Sequence, residues 1–226
     1  MLYEKAFQKG LWEAVRAEKA YAPLLSALLE DYRAVSREGP VSAVRFSEYI
    51  IYQETGSRKK YEAAYFARRK RLNTYALMAL VYPEEGEHLL QLQDTVWAIC
   101  DEYTWALPAH IAWRTGRDPG CIDLFSAETG FALSTIRHLL GDRLHEKMKE
   151  RIDWEINRRI IRPFLYRRFW WEHSNNNWAA VCAGSVGCTF MLSRPRLFSL
   201  IRPRIAFTMR RFLLSLIHIS EPTRPY

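Results

Sequence analysis

The residues best suited to chemistry are grouped at positions 170–178, where three tryptophans flank three consecutive asparagines. The segment reads WWEHSNNNW and precedes a run of small residues, 179–187. Indole faces stack on the C–H faces of sugar rings, and amides donate and accept hydrogen bonds without carrying charge. The segment therefore predicts a carbohydrate-binding site. The alternative is structural: the asparagines form a polar turn and a helix N-cap, and the tryptophans lie in the core.

Other polar residues give weaker signals. Glu128 is either a carboxylate in a cleft or a satisfied core group. His138 and His145 are seven residues apart, but Gly141 and Asp142 break the helix between them, which disfavours a metal site. No phosphate-loop, GxSxG or HExxH pattern occurs, and we expect neither a metal nor a cofactor. Five arginines that precede the segment could line an anionic cleft or form a solvated helix face: Arg158, Arg159, Arg162, Arg167 and Arg168.

The elements that position these residues are predicted to be helices. Apolar residues recur at intervals of three and four, and no stretch shows sustained apolar–polar alternation. Asp123 is a predicted N-cap, Gly141 a predicted C-terminal cap and Asp142 a second N-cap. The pattern predicts an all-α chain of antiparallel helical hairpins, arranged as a bundle or a toroid. The predicted helices cover 57–81, 83–100, 124–139, 143–168, 178–192 and 195–213.

Composition limits the classes of protein further. The 226 residues are 49% hydrophobic and carry a net charge of +8, which excludes disorder and favours a polyanionic partner. The four cysteines lie in apolar stretches without CxxC spacing, which is typical of buried thiols. Charged residues interrupt the N-terminus, so no signal peptide is visible and a cytoplasmic location is the default expectation. No window approaches the ~20 apolar residues of a membrane span.

Three blocks of sequence carry a resemblance to a known family. The run HSNNNWAAVCAGSVGCTFM resembles the NNW-x-x-VC-x-G helix start of heparinase II/III-like polysaccharide lyases. DLFSAETGFALS (123–134) and RRKRLNTYALMALVYPEEGEHLLQ (68–91) are similar to earlier helices of that family, and the likeness covers residues 45–213. The resemblance implies an incomplete α/α toroid that is followed, in the family, by a large antiparallel β-sandwich domain.

The end of the sequence departs from that family. Residues 214–224, LSLIHISEPTR, look like an in-frame translation of a transposase-type sequencing adapter. We therefore expect residues 1–213 to form a toroid domain truncated at its C-terminus, and residues 214–226 to be a non-biological tail. On this hypothesis the family's β-sandwich domain is absent.

The resemblance also implies a reaction. Such lyases cleave uronic-acid polysaccharides by β-elimination, in which a base removes the C5 proton and an acid protonates the departing O4. The neighbouring carboxylate must be neutralised, a role that the motif assigns to Asn177, with Asn176 second. The expected substrate contacts are Trp171, Trp178, Arg168 and His173, the last of which could equally be a simple turn residue. Because the family's acid Tyr and partner His fall beyond the last residue, we expect this chain alone to be inactive.

The expected partner is an acidic polysaccharide or oligosaccharide, and neither nucleic acid nor a membrane. Two alternatives stay open. An α/α-toroid glycoside hydrolase would need two carboxylates facing one cleft. A basic helical module would bind polyanions through its arginines.

Overall fold

The computed structural model describes residues 2–111 and 120–220, and the regular structure in these ranges is helical. No β-strand occurs within them, which confirms the all-α prediction. The chain divides into two units, Met1–Tyr103 with Thr135–Trp154 and Thr104–Ser134 with Glu155–Tyr226. In chain order the helices are α1 (Leu11–Ala17), α2 (Ala22–Arg37), α3 (Phe46–Tyr49), α4 (Ile51–Thr55), α5 (Lys59–Val81), α6 (Gly86–Cys100), α7 (Leu124–Leu139), α8 (Glu146–Ile156), α9 (Arg162–Tyr166), α10 (Asn177–Ser193) and α11 (Pro195–Ser220).

The first unit is centred on α5, which packs against α6 and α2. Leu72 and Tyr75 of α5, with Leu92 and Ile99 of α6, are almost fully buried. Burying such side chains stabilises a fold by about 1.5–3 kcal/mol each. The helices predicted for 57–81 and 83–100 are both present, although α6 begins at Gly86 and not at Pro83.

In the second unit, α10 packs along α11. The core of this unit contains Phe164, Trp171, Cys182 and Phe190, none of which is measurably exposed. Helix α11 runs through Pro203 and continues beyond its predicted end near 213, as far as residue 220. The boundary expected between 213 and 214 therefore lies inside a continuous helix.

Two helix starts were predicted from N-cap residues, and one of the two caps is present. Asp123 is the N-cap of α7, since its Oδ1 accepts a 2.7 Å hydrogen bond from the Ser126 amide. Asp142 does not cap the following helix. That helix begins at Glu146, where the ring Nδ1 of His145 accepts a hydrogen bond of 3.1 Å from the Lys147 amide.

The helix predicted for 143–168 is present from residue 146 to residue 166 but is not regular. Between α8 and α9 the turn Asn157–Ile161 has the wider π-helical spacing. Such turns insert an extra residue into the helix and are frequent at functional sites. Within 2–111 and 120–220, no helix combines the length and the apolar content needed to cross a bilayer.

Candidate functional site

The asparagines 175–177 lie at the N-terminal end of α10, and all three are exposed. Asn176 is the N-cap, because its Oδ1 accepts a hydrogen bond of 3.1 Å from the Trp178 amide. The structural interpretation of the asparagine turn therefore holds for Asn176. No hydrogen bond to another described residue engages the side-chain amide of Asn177, so this amide is available to a ligand.

Trp171 lies in the core and not at the surface. Its residue exposure is 0%, and its indole Nε1 donates a hydrogen bond of 2.8 Å to the carbonyl oxygen of Ile122. Its ring stacks against Phe169 and Phe164, with centroids 5.5 and 6.1 Å away. The sugar contact expected of Trp171 does not fit this burial, since no face of the indole is open to a ligand.

Trp170, and not its neighbour Trp171, lies at the surface. It is 60% exposed, and its ring centroid lies 4.9 Å from that of Trp178, with the planes tilted by 46°. Trp178 is itself half-buried. The two indoles form an open aromatic surface next to Asn177 in the sequence.

The aromatic surface continues onto a residue that the sequence analysis did not select. The ring of His110 meets Trp178 edge-on, with centroids 4.8 Å apart, and stacks on Phe125 at 5.8 Å. We call the four rings of Trp170, Trp178, His110 and Phe125 the aromatic row. The only sequence signal for His110 is Pro108, which opens a single 3₁₀ turn, Pro108–His110.

Asp123 holds His110 in place. The Asp123 carboxylate is fully buried, and its Oδ2 lies 2.7 Å from His110 Nδ1 and accepts a bond of 3.1 Å from the Leu107 amide. The other oxygen caps α7 at Ser126. A buried carboxylate that makes these hydrogen bonds fixes the groups around it.

Arg168 and His173, two expected substrate contacts, lie at a different place in the second unit. Both line a cavity of about 720 Å³ between the turn Trp170–His173 and α11. The cavity contains the buried Glu172, which Arg204 of α11 binds through two nitrogens. Arg168 is exposed and lies 3.8 Å from Glu172.

Glu128 of α7 is a second carboxylate of interest. The residue is exposed and has no hydrogen-bond partner among the described residues, so it is not a satisfied core group. Partial desolvation and, after it, the charge of Asp123 raise the pKa of Glu128 above its ordinary value.

The arginines before the asparagine turn do not form one uniform surface. Arg159 is buried and pairs with the buried Glu155 at 2.6 Å, and the half-exposed Arg158 binds the same carboxylate. Burial opposes ionisation of Glu155, but the hydrogen bonds of both arginines lower its pKa. Arg162 and Arg167 are exposed. Part of the positive charge in this stretch is therefore paired with the buried Glu155.

Within the part of the chain that the structure describes, no three His, Cys, Asp or Glu side chains are placed to hold a metal ion. No protein-family model matches the chain, and no curated protein sequence matches it.

Proposed function

We propose that the second unit binds uronic-acid oligosaccharides and belongs to a polysaccharide lyase of the heparinase II/III-like kind, which cleaves by β-elimination. The observation that carries the proposal is the exposed amide of Asn177 at the start of α10, which directly precedes Trp178, whose indole packs against that of the exposed Trp170. Aromatic faces stack on sugars, and a neutral amide can donate to a carboxylate.

The position of Asn177 in its helix adds to this. Backbone N–H groups and the helix dipole make the first turn of a helix favourable for negative charge. A uronate carboxylate bound there would receive a hydrogen bond from Asn177 while its ring lies on the indoles. In the reaction, Asn177 would stabilise the enolate that forms when C5 loses its proton.

We also propose that the helices form the incomplete α/α toroid that the resemblance implies. The observation in its favour is that successive long helices pack in pairs within each unit, α5 with α6 and α10 with α11. No regular β-structure competes with this arrangement in residues 2–111 and 120–220.

The two alternative functions have less support. A basic polyanion-binding module would use arginines at the surface; Arg162, Arg167 and Arg168 are exposed, but Arg159 is buried and Arg158 is paired with Glu155. A glycoside hydrolase would need two carboxylates at one cleft, and Asp123 is fully buried with its oxygens occupied.

Calorimetric titration of the whole chain with uronate tetrasaccharides, duplex DNA and anionic vesicles tests the proposal. We expect binding of at least one tetrasaccharide and none of the other two at physiological salt. Trp170→Ala should abolish this binding, and Trp154→Ala serves as the matched control because that tryptophan is 64% exposed and lies in the other unit. Steeply salt-dependent binding of all polyanions alike would favour the basic module instead.

A further inference from the structure

A cavity in the first unit is lined by a buried cation whose hydrogen-bonding capacity is largely unused. The cavity has a volume of about 440 Å³ and lies between the C-terminal end of α2, the loop that follows it, α5 and α6. Volumes of about 300–1,000 Å³ are typical of small-molecule sites. All of the lining residues belong to the first unit, so the cavity shares no residue with the site proposed around Asn177.

The cation is Arg71 of α5, whose side chain is only 6% exposed. Its Nη2 donates a hydrogen bond to the carbonyl oxygen of Gly39, whereas an oxygen of the exposed Glu38 lies 3.7 Å from Nη1, beyond hydrogen-bond distance. Its Nε is buried and has no hydrogen-bond partner among the described residues. A buried charge is costly unless it is paired and hydrogen-bonded. Because the planar guanidinium matches a carboxylate, this end of the cavity favours an anionic group.

Hydroxyl groups on the cavity wall can assist the cation. The Tyr75 Oη is buried and lies 3.5 Å from the Oγ of Ser36, which is long for a hydrogen bond between hydroxyls. The third hydroxyl is that of Tyr32, and burial raises its pKa, so it remains protonated at neutral pH. These groups are therefore able to donate hydrogen bonds to a carboxylate that approaches Arg71.

The wall contributed by α6 has the opposite charge. Glu87, Gln91 and Asp94 line the cavity and are spaced by four and three residues, which places them on one face of the helix. Both acids are exposed, and neither forms an ion pair with another described residue. A polyanion or a second anionic group would be repelled at this wall, whereas an ammonium group would be attracted.

We propose that this cavity binds a free amino acid, with its carboxylate on Arg71 and its ammonium group facing Glu87 and Asp94. The apolar side chains of Pro40 and Val41 also line the cavity and would contact the carbon atoms of the ligand. This site is independent of the proposed function, because uronate oligosaccharides are proposed to bind in the other unit and carry no ammonium group.

Calorimetric titration of the whole chain with the proteinogenic L-amino acids and with γ-aminobutyrate tests the proposal. We expect at least one of them to bind. Its N-acetyl and carboxamide derivatives should each bind about tenfold or more weakly, because each loses a hydrogen bond to a charged group. Failure of every amino acid to bind, or a derivative that binds as tightly as its parent, would overturn the proposal. Displacement of the amino acid by equimolar inorganic phosphate would reassign the cavity to anions alone.

A variant of the cation locates the carboxylate. Arg71→Met should weaken binding of the amino acid about tenfold or more, because it removes the charge while keeping an unbranched stem. Replacing a buried ion by an apolar residue often leaves a fold intact, and circular dichroism checks this. Arg33→Met is the matched control, since Arg33 is exposed and does not line the cavity. A folded Arg71→Met chain that binds as before would contradict the assignment.

A variant of the acidic wall covers the case in which Arg71→Met fails to fold. Glu87→Gln combined with Asp94→Asn changes only exposed side chains and should weaken the free amino acid about tenfold without affecting its N-acetyl derivative. Asp142→Asn, an exposed acid of the same unit outside the cavity, should bind like the unchanged chain. Equal binding by the double variant would overturn the proposal, while the proposed function stays tested separately by Trp170→Ala.

Discussion

Replacing Arg204 by methionine should strongly destabilise the second unit. Arg204 binds both oxygens of Glu172 and donates to the backbone carbonyls of Phe164 and Arg167. The guanidinium also lies 3.7 Å from the centroid of the Phe164 ring. One side chain of α11 therefore holds the turn that carries Trp170.

The magnitude follows from the burial of the pair. The side chains of Glu172 and Arg204 are 4% and 13% exposed, so removing the cation leaves a buried carboxylate. Breaking a buried pair in this way costs about 3–5 kcal/mol. Arg168 lies 3.8 Å from Glu172 but is 74% exposed, so it offsets little of the loss.

Urea unfolding at neutral pH, followed by tryptophan fluorescence, measures the loss. Arg202→Met is the matched control, because it makes the same change on an exposed position of the same helix and should leave the unfolding free energy nearly unchanged. Adding Glu172→Gln to Arg204→Met should cost less than the sum of the two single changes. A loss below about 1 kcal/mol for Arg204→Met would refute the reasoning.

Three further predictions concern single positions. Gly130→Ala should lower the unfolding free energy by about 1–3 kcal/mol, since its Cβ would lie 2.7 Å from Ile160 Cγ1, and an unchanged urea midpoint would contradict this close approach. Glu128→Gln should raise the urea midpoint at neutral pH but not in acid. The pKa of Glu128 is raised in the folded chain, which therefore binds more protons than the unfolded chain and loses stability as the pH rises from the unfolded pKa through the folded pKa. Equal effects at both pH values would refute that sign. Burial raises the pKa of the Cys182 thiol, so it should react with a thiol reagent only after unfolding, and rapid labelling of the folded chain, located by peptide mapping, would be inconsistent with its burial.

The helical fold could be predicted from the sequence because periodicity and capping are local. The apolar spacing of α5 and the cap at Asp123 depend on residues only a few positions apart. The start of α8 was predicted wrongly because Asp142 has the right residue type, whereas His145 supplies the capping acceptor. The helix predicted for 195–213 runs through Pro203, as α11 does, although proline inside a helix normally favours a break. The continuation of α11 to residue 220 was not predicted.

The candidate site was only partly accessible from sequence. The cap at Asn176 follows from its residue type, but nothing local distinguishes Trp171, which is buried, from Trp170, which is exposed. The single 3₁₀ turn that contains both decides which indole points inward. The contact between His110 and Asp123 joins positions 13 residues apart with no periodic signal, so it required the folded chain.

The most direct test of the central claim compares two ligands that differ only at the uronate carboxylate. Calorimetric titration of the whole chain with a uronate tetrasaccharide and with its carboxyl-reduced analogue measures how much of the affinity depends on this group. We expect the reduced analogue to bind about tenfold or more weakly, because a hydrogen bond to a charged group is lost, and Asn177→Ala to remove most of this difference. Equal affinity for the two ligands, or a preference that Asn177→Ala leaves intact, would contradict it.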